Sequence, residues 1–167
     1  AGCQGNRADR PLIVGVRGSG EKQSDAGGLG KTVAVAVDQL RSAFKSQVDV
    51  VAIDYPSKPT QTLFESLIGR TLYHDSVDTG INDLVDTLAA AGRSCASRPI
   101  AVIGYSQGAL VANRALVQLA NAGDPVVQAR VGRRDAVDRA ITIAVERRSV
   151  LGGDGLHPSG PQRIPHA

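Results

Sequence analysis

The chain contains no Trp and no Met, and aromatic residues make up only 3% of its 167 positions. Its core must therefore be built from Val, Ile, Leu and Ala, and a hydrophobic fraction of 42% supplies enough of them for one domain. Scarce aromatics leave little on which bases could stack, so a nucleic-acid partner is not expected. No run is long and apolar enough to span a bilayer, and no basic-then-apolar leader opens the sequence. Ala1-Gly2-Cys3 reads as the trimmed start of an exported chain. Cysteine is nearly missing too. Cys3 and Cys95 show neither C-x-x-C nor metal-site spacing, which leaves a disulfide or two free thiols. A disulfide would constrain the unfolded chain and stabilise the fold by about 4–5 kcal/mol. The net charge is a mild +3, with Arg130, Arg133, Arg134, Arg139, Arg147 and Arg148 concentrating the basic character late. That cluster reads either as a solvated helix and loop or as an attraction to an anionic surface, such as phospholipid or an acidic wall polymer.

What is present is an alternation. Apolar runs at 12–16, 48–53, 99–103 and 140–145 read as buried strands. Residues 31–44 carry Val33, Val37, Leu40 and Phe44 on one helical face. Residues 75–91 carry Val77, Ile81, Leu84, Val85 and Leu88 on another, and 107–121 follow the third strand as a helix. Residues 57–70 read as irregular, with a short helix near 64–68. Strands alternating with helices specify an α/β fold, a parallel sheet with helices on both faces, in a single domain over 1–167. Residues 152–167 are dense in Gly and Pro and read as a loop.

The most informative stretch is Gly104-Tyr105-Ser106-Gln107-Gly108, set between the third strand and the helix after it. A serine on a sharp strand-to-helix turn presents its hydroxyl above the strand end, and flanking glycines avoid collisions with neighbouring elements. Such a nucleophile requires a base, a group that orients the base, and donors for the oxyanion. In the chain order Ser, acid, His, the base after Ser106 is His157 or His166. His74 precedes the serine and reads as a surface residue at a helix start. The acid is sought among Asp124, Asp135, Asp138, Glu146 and Asp154. Asp135 and Asp138 lie among arginines, as solvated helix charges do. Asp154 shares the late loop with both histidines but is very close in sequence to His157. His166 leaves a loop long enough to fold back over the serine, so Asp154 and His166 are the preferred acid and base. The backbone N–H of Gln107 is one expected oxyanion donor. Ser19, in the small-residue loop Arg17-Gly18-Ser19-Gly20-Glu21 after the first strand, is the other.

G-Y-S-Q-G after a buried strand, R-G-S-G-E after the first strand and Asp54-Tyr55-Pro56 after the second together resemble the cutinase family, which includes acetylxylan esterases and actinobacterial cutinase-like lipases and esterases. The resemblance extends from Cys3 to about Asn121. It implies an α/β-hydrolase-type three-layer sandwich, Ser106 as nucleophile, and Ser19 with Gln107 as the oxyanion pair. Cys95 lies eleven residues before Ser106, where the family places the partner of an N-terminal cysteine, so a Cys3–Cys95 disulfide and a secreted protein are implied. Members are lidless esterases acting on accessible or interfacial esters, and no metal or cofactor is expected. A monomer is expected as well. Gly153-Asp154 and Pro165-His166 resemble the family's acid loop and its Pro-His. Residues 146–167 otherwise depart from the pattern, without the second disulfide or the closing helix, as a truncated or frame-shifted end would.

Three functions compete. The first is a serine esterase acting on lipid, polyester or short acyl substrates, with Leu63, Phe64 and Leu156 as apolar candidates near the site. The second is a catalytically impaired relative that binds a lipid or wall polymer, favoured by the atypical end. The third is a phosphate loop at Gly27-Gly28-Leu29-Gly30-Lys31-Thr32. There Asp25 stands where the motif needs its first glycine, and a carboxylate at that point repels phosphate.

Overall fold

The computed structural model describes residues 10–45, 47–61, 64, 66–122 and, as backbone, 140–145. Strands β1 (Leu12–Val16), β2 (Asp49–Ala52), β3 (Ile100–Tyr105) and β4 (Ala140–Val145) form one parallel sheet in the order β2-β1-β3-β4. Helix α1 (Gly30–Ala43) links β1 to β2, α2 (Leu67–Ser94) lies between β2 and β3, and α3 (Gln107–Asn121) follows β3 directly.

Every residue of β1 is buried, and its period-2 alternation divides the side chains between two cores. Leu12, Val14 and Val16 join Ile100 and Val102 of β3 against Val77, Ile81 and Leu84 of α2 and Val111 and Ala115 of α3. Ile13 turns the other way and joins Ile103, Val33 and Val37, the buried stripe of α1. Each such aliphatic side chain stabilises the fold by about 1.5–3 kcal/mol when fully buried. Helices therefore cover both faces of a parallel sheet, and the expected three-layer α/β arrangement holds.

The topology also fixes where a site can form. From β1 the chain winds toward β2 on one side, and from β3 it winds toward β4 on the other. Where winding reverses between adjacent parallel strands, their following loops part and leave a crevice beyond the carboxyl ends. The register pairs Val16 with Gly104, so the loop after β1 and the turn after β3 emerge side by side at that point.

Several boundaries differ from the sequence reading. The expected irregular stretch, short helix and 75–91 helix are largely one element, the 28-residue α2. It starts at Ser66, whose hydroxyl accepts the Gly69 N–H at 2.9 Å and caps the first turn. Its apolar periodicity is invisible there because Leu67, Ile68 and Leu72 are exposed rather than inward. Phe44 lies just past the end of α1 and is 49% exposed, not part of the buried face. His74 is exposed as expected but lies within α2, two turns after its start.

Candidate active site

Ser106 sits between the last residue of β3 and the first of α3, exposed, with φ +52° and ψ −116°. A non-glycine residue held at positive φ stores about 1–3 kcal/mol and persists only where its surroundings allow nothing else. The surroundings here are backbone. A Cβ on Gly104 would lie 2.5 Å from the Gly108 carbonyl oxygen. A Cβ on Gly108 would overlap the Val16 carbonyl oxygen and come within 2.5 Å of that of Arg17. The two glycines let β3, α3 and the end of β1 meet at closer range than any side chain permits. The strained turn follows from that approach, and Ser106 is exposed on it. The hydroxyl does not cap α3, although Ser106 occupies the capping position.

The loop after β1 is built in a different way. Arg17 is 2% exposed, and its guanidinium donates to the Ile53 carbonyl at 2.9 Å, to the Tyr55 carbonyl, and to the Ser57 hydroxyl at 3.1 Å. The Tyr55 hydroxyl donates back to the Arg17 carbonyl at 2.5 Å. Burial pushes the Tyr55 phenol well above its ordinary pKa, against the opposing pull of the Arg17 guanidinium. Ser57, itself buried at φ +43°, donates its hydroxyl to the Glu21 carbonyl at 2.6 Å and accepts the Gly20 N–H on its own carbonyl at 2.7 Å. The polar groups of the loop after β2 thus hold the loop after β1 in place.

From Gly18 to Lys22 every backbone N–H but one has an acceptor among the described residues. Gly18 donates to Glu21 Oε2 at 2.6 Å, Gly20 to the Ser57 carbonyl, Glu21 to the Gly18 carbonyl at 3.2 Å, and Lys22 to Asp25 Oδ2 at 3.4 Å. The Ser19 N–H has no acceptor among the described residues, while its hydroxyl donates to the Lys58 carbonyl at 3.0 Å. The N–H of Gln107, in the first turn of α3, likewise has no acceptor among the described residues, as expected of a helix start. Among the described residues these two N–H groups are without an acceptor, and they lie on the two segments that emerge side by side at the switch point, one of which carries the exposed Ser106. Pre-set donors beside a nucleophile are what stabilise an oxyanion formed in acyl transfer.

Ser19, Ser106 and Gln107 thus lie on the two segments that the β1–β3 register brings side by side. Asp154, His157, His166 and Cys3 lie outside the described residues. Cys95 is 2% exposed at the end of α2 and is not a free thiol. Sequence reasoning passed over Arg17, Glu21, Tyr55 and Ser57. The first three stand inside the quoted motifs, so the signal was an arginine placed directly after a fully buried strand. The Gln107 side chain is a second surprise, since both its polar atoms are buried without a hydrogen-bond partner among the described residues.

The phosphate-loop alternative is answered by the same geometry. The first turn of α1, where a phosphate would dock, already holds the Glu21 carboxylate, whose Oε1 accepts the Thr32 N–H at 3.2 Å. An open cleft of about 580 Å³ lies behind this network, lined by Lys22, Gln23, Asp54, Pro56 and Lys58 among others, with Ser106 outside its wall. No group of three His, Cys, Asp or Glu residues that could hold a metal ion occurs among the described residues.

A family model described as Cutinase matches residues 9–140. The chain belongs to the cutinase family. Solved structures share this cutinase fold. The catalytic core of an acetyl xylan esterase from Trichoderma reesei matches with 23% identity and a TM-score of 0.53, over 81% of this chain and 62% of that one. An iodinated complex of acetyl xylan esterase matches with 24% identity and a TM-score of 0.52, over 81% and 61%. Lysin B from mycobacteriophage D29 matches with 21% identity and a TM-score of 0.54, over 81% and 45%. The chain thus spans about six-tenths of the length of the two esterases and under half of that of lysin B. No curated protein matches it.

Proposed function

We propose that the chain is a serine carboxylic ester hydrolase. Ser106 Oγ attacks the ester carbonyl carbon while an imidazole takes its proton. The negative charge that develops on the carbonyl oxygen is held by the N–H groups of Ser19 and Gln107. The tetrahedral intermediate collapses, the imidazolium protonates the departing alcohol, and water then cleaves the acyl-enzyme by the same steps in reverse order. His166 is the proposed base, oriented by Asp154, with His157 as the alternative. The observation that carries the reading is Ser106, exposed and held at φ +52°, on the turn that the sheet register sets next to the loop of Ser19, with the N–H groups of Ser19 and Gln107 unused by any acceptor among the described residues.

The substrate class proposed is an ester of an apolar or short acyl group. Exposed apolar residues just before and in the first turn of α2, Phe64 at 86%, Leu67 at 81% and Ile68 at 73%, support an acyl or polyester substrate presented at a surface. The fold match to acetyl xylan esterases keeps acetyl esters of sugars within the same proposal. A Cys3–Cys95 disulfide is proposed on the buried, non-free Cys95, and with it an exported monomer. Hydrolysis of p-nitrophenyl esters of graded chain length tests the activity. Turnover that disappears in Ser106→Ala is the expected result, and turnover that survives it removes the serine from the mechanism. His157→Ala and His166→Ala assayed separately identify the base, and two fully active variants would overturn the triad.

A further inference from the structure

The Glu21 carboxylate in the β1 loop accepts two hydrogen bonds, and neither comes from Ser106, Ser19 or Gln107. The carboxylate joins two elements. Oε2 accepts the Gly18 N–H at 2.6 Å and Oε1 accepts the Thr32 N–H in the first turn of α1 at 3.2 Å. Bonds from N–H groups to an ionised carboxylate are short and about twice as strong as neutral ones. The positive end of the helix dipole adds to the attraction. Room for this carboxylate is made by Gly30, at φ +71°, where a Cβ would overlap Glu21 Oε2 and lie 2.6 Å from Cδ. The backbone of Glu21 is tied as well, since its carbonyl accepts the buried Ser57 hydroxyl.

We infer that Glu21 is a positioning residue for ester hydrolysis, a latch that pins the β1 loop to the N-terminus of α1 and so keeps the Ser19 N–H free and aimed at the oxyanion. The inference rests on the reading of Ser106 as nucleophile. With its acceptor at Glu21 lost, the Gly18 N–H takes another carbonyl and the peptide units on either side of Ser19 turn with it. The serine, its elbow and the Gln107 N–H are untouched, because backbone contacts at Gly104 and Gly108 hold them independently. The latch therefore acts on transition-state charge and not on substrate binding.

The test is Glu21→Gln in the full chain, read by two independent signals. In ¹⁵N–¹H spectra the Gly18 and Thr32 amide protons should shift upfield on loss of the charged acceptor. In steady-state hydrolysis of a short p-nitrophenyl ester, kcat should fall about 10²-fold, the cost of displacing a reacting group by an ångström, with KM changing by no more than about twofold. Glu21→Asp keeps the charge but reaches only one of the two N–H groups. It should show the same split at about tenfold, and it is the variant to read if Glu21→Gln does not fold. Amide shifts that move while kcat stays at the wild-type value would overturn the inference and leave the esterase reading intact. A fall in KM-dependent binding alone, or in thermal stability alone, would overturn it too. Wild-type protein that hydrolyses no ester removes the nucleophile reading and the latch with it.

Discussion

The elbow at Ser106 and the loop bearing Ser19 meet across the ends of β3 and β1, and they are held in opposite ways. The elbow is held by exclusion. Gly104 and Gly108 let three backbones meet with no space for a Cβ, and the strain at Ser106 is the result. The β1 loop is held by attachment. Arg17, Glu21, Tyr55 and Ser57 tie it with hydrogen bonds to the β2 loop and to α1. A backbone wedge fails as a whole when its glycine is replaced, because main chain cannot yield locally. A polar network gives way one bond at a time, so its effects are graded and separable.

The largest expected effect tests the wedge. Gly108→Ala drives a methyl group into the Val16 and Arg17 carbonyl oxygens. It should cost about 3 kcal/mol or more, read as a lowered urea midpoint or as failure to purify folded protein. A Gly108→Ala variant of wild-type stability would mean that the elbow is not enforced by backbone contact. The network is tested next. Tyr55→Phe removes the donor to the buried Arg17 carbonyl and should cost about 1–3 kcal/mol in the same titration. The elbow should be preserved, so a residual ester hydrolysis is expected.

The Tyr55 phenol also sets an alkaline limit. Its folded pKa is raised above the 10.0 of a free phenol. Above pH 10 the unfolded chain loses this proton first, so stability is fully present below that pH and declines as pH rises through the folded value. Urea midpoints measured from pH 9 upward should fall in the wild type and fall less in Tyr55→Phe. An identical slope in both would remove the buried phenol from the account. The smallest effect is reserved for Gln107. Its buried amide has no partner among the described residues, and only its backbone N–H is given a role. Gln107→Leu should be neutral or stabilising by up to about 1 kcal/mol with ester hydrolysis retained. Loss of activity there would assign the side chain a part that the N–H alone does not explain.

The contrast between wedge and network also explains what was legible in the sequence. The wedge is written locally, as two glycines at fixed offsets from a serine between an apolar run and a helical pattern. The sheet was legible for the same reason, since Leu12, Val14, Ile100 and Val102 announce buried strands by their own chemistry. The network was not legible, because its partners are separated by 36 to 40 positions and meet only when the sheet forms. Nothing in Asp54-Tyr55-Pro56 alone says that the tyrosine hydroxyl reaches Arg17. The start of α2 was missed for a related reason, since its exposed Leu67, Ile68 and Leu72 carry no inward stripe. Glu21 was visible as a motif letter, but its role depends on the first turn of α1, eleven residues away.

The central claim is that the strain at Ser106 serves to present a nucleophile. Incubation of the folded protein with a fluorophosphonate probe, followed by peptide mapping, tests it most directly. The account predicts stoichiometric labelling on Ser106 that disappears in Ser106→Ala. Folded wild-type protein that takes up no label, or that is labelled at another residue, would contradict it.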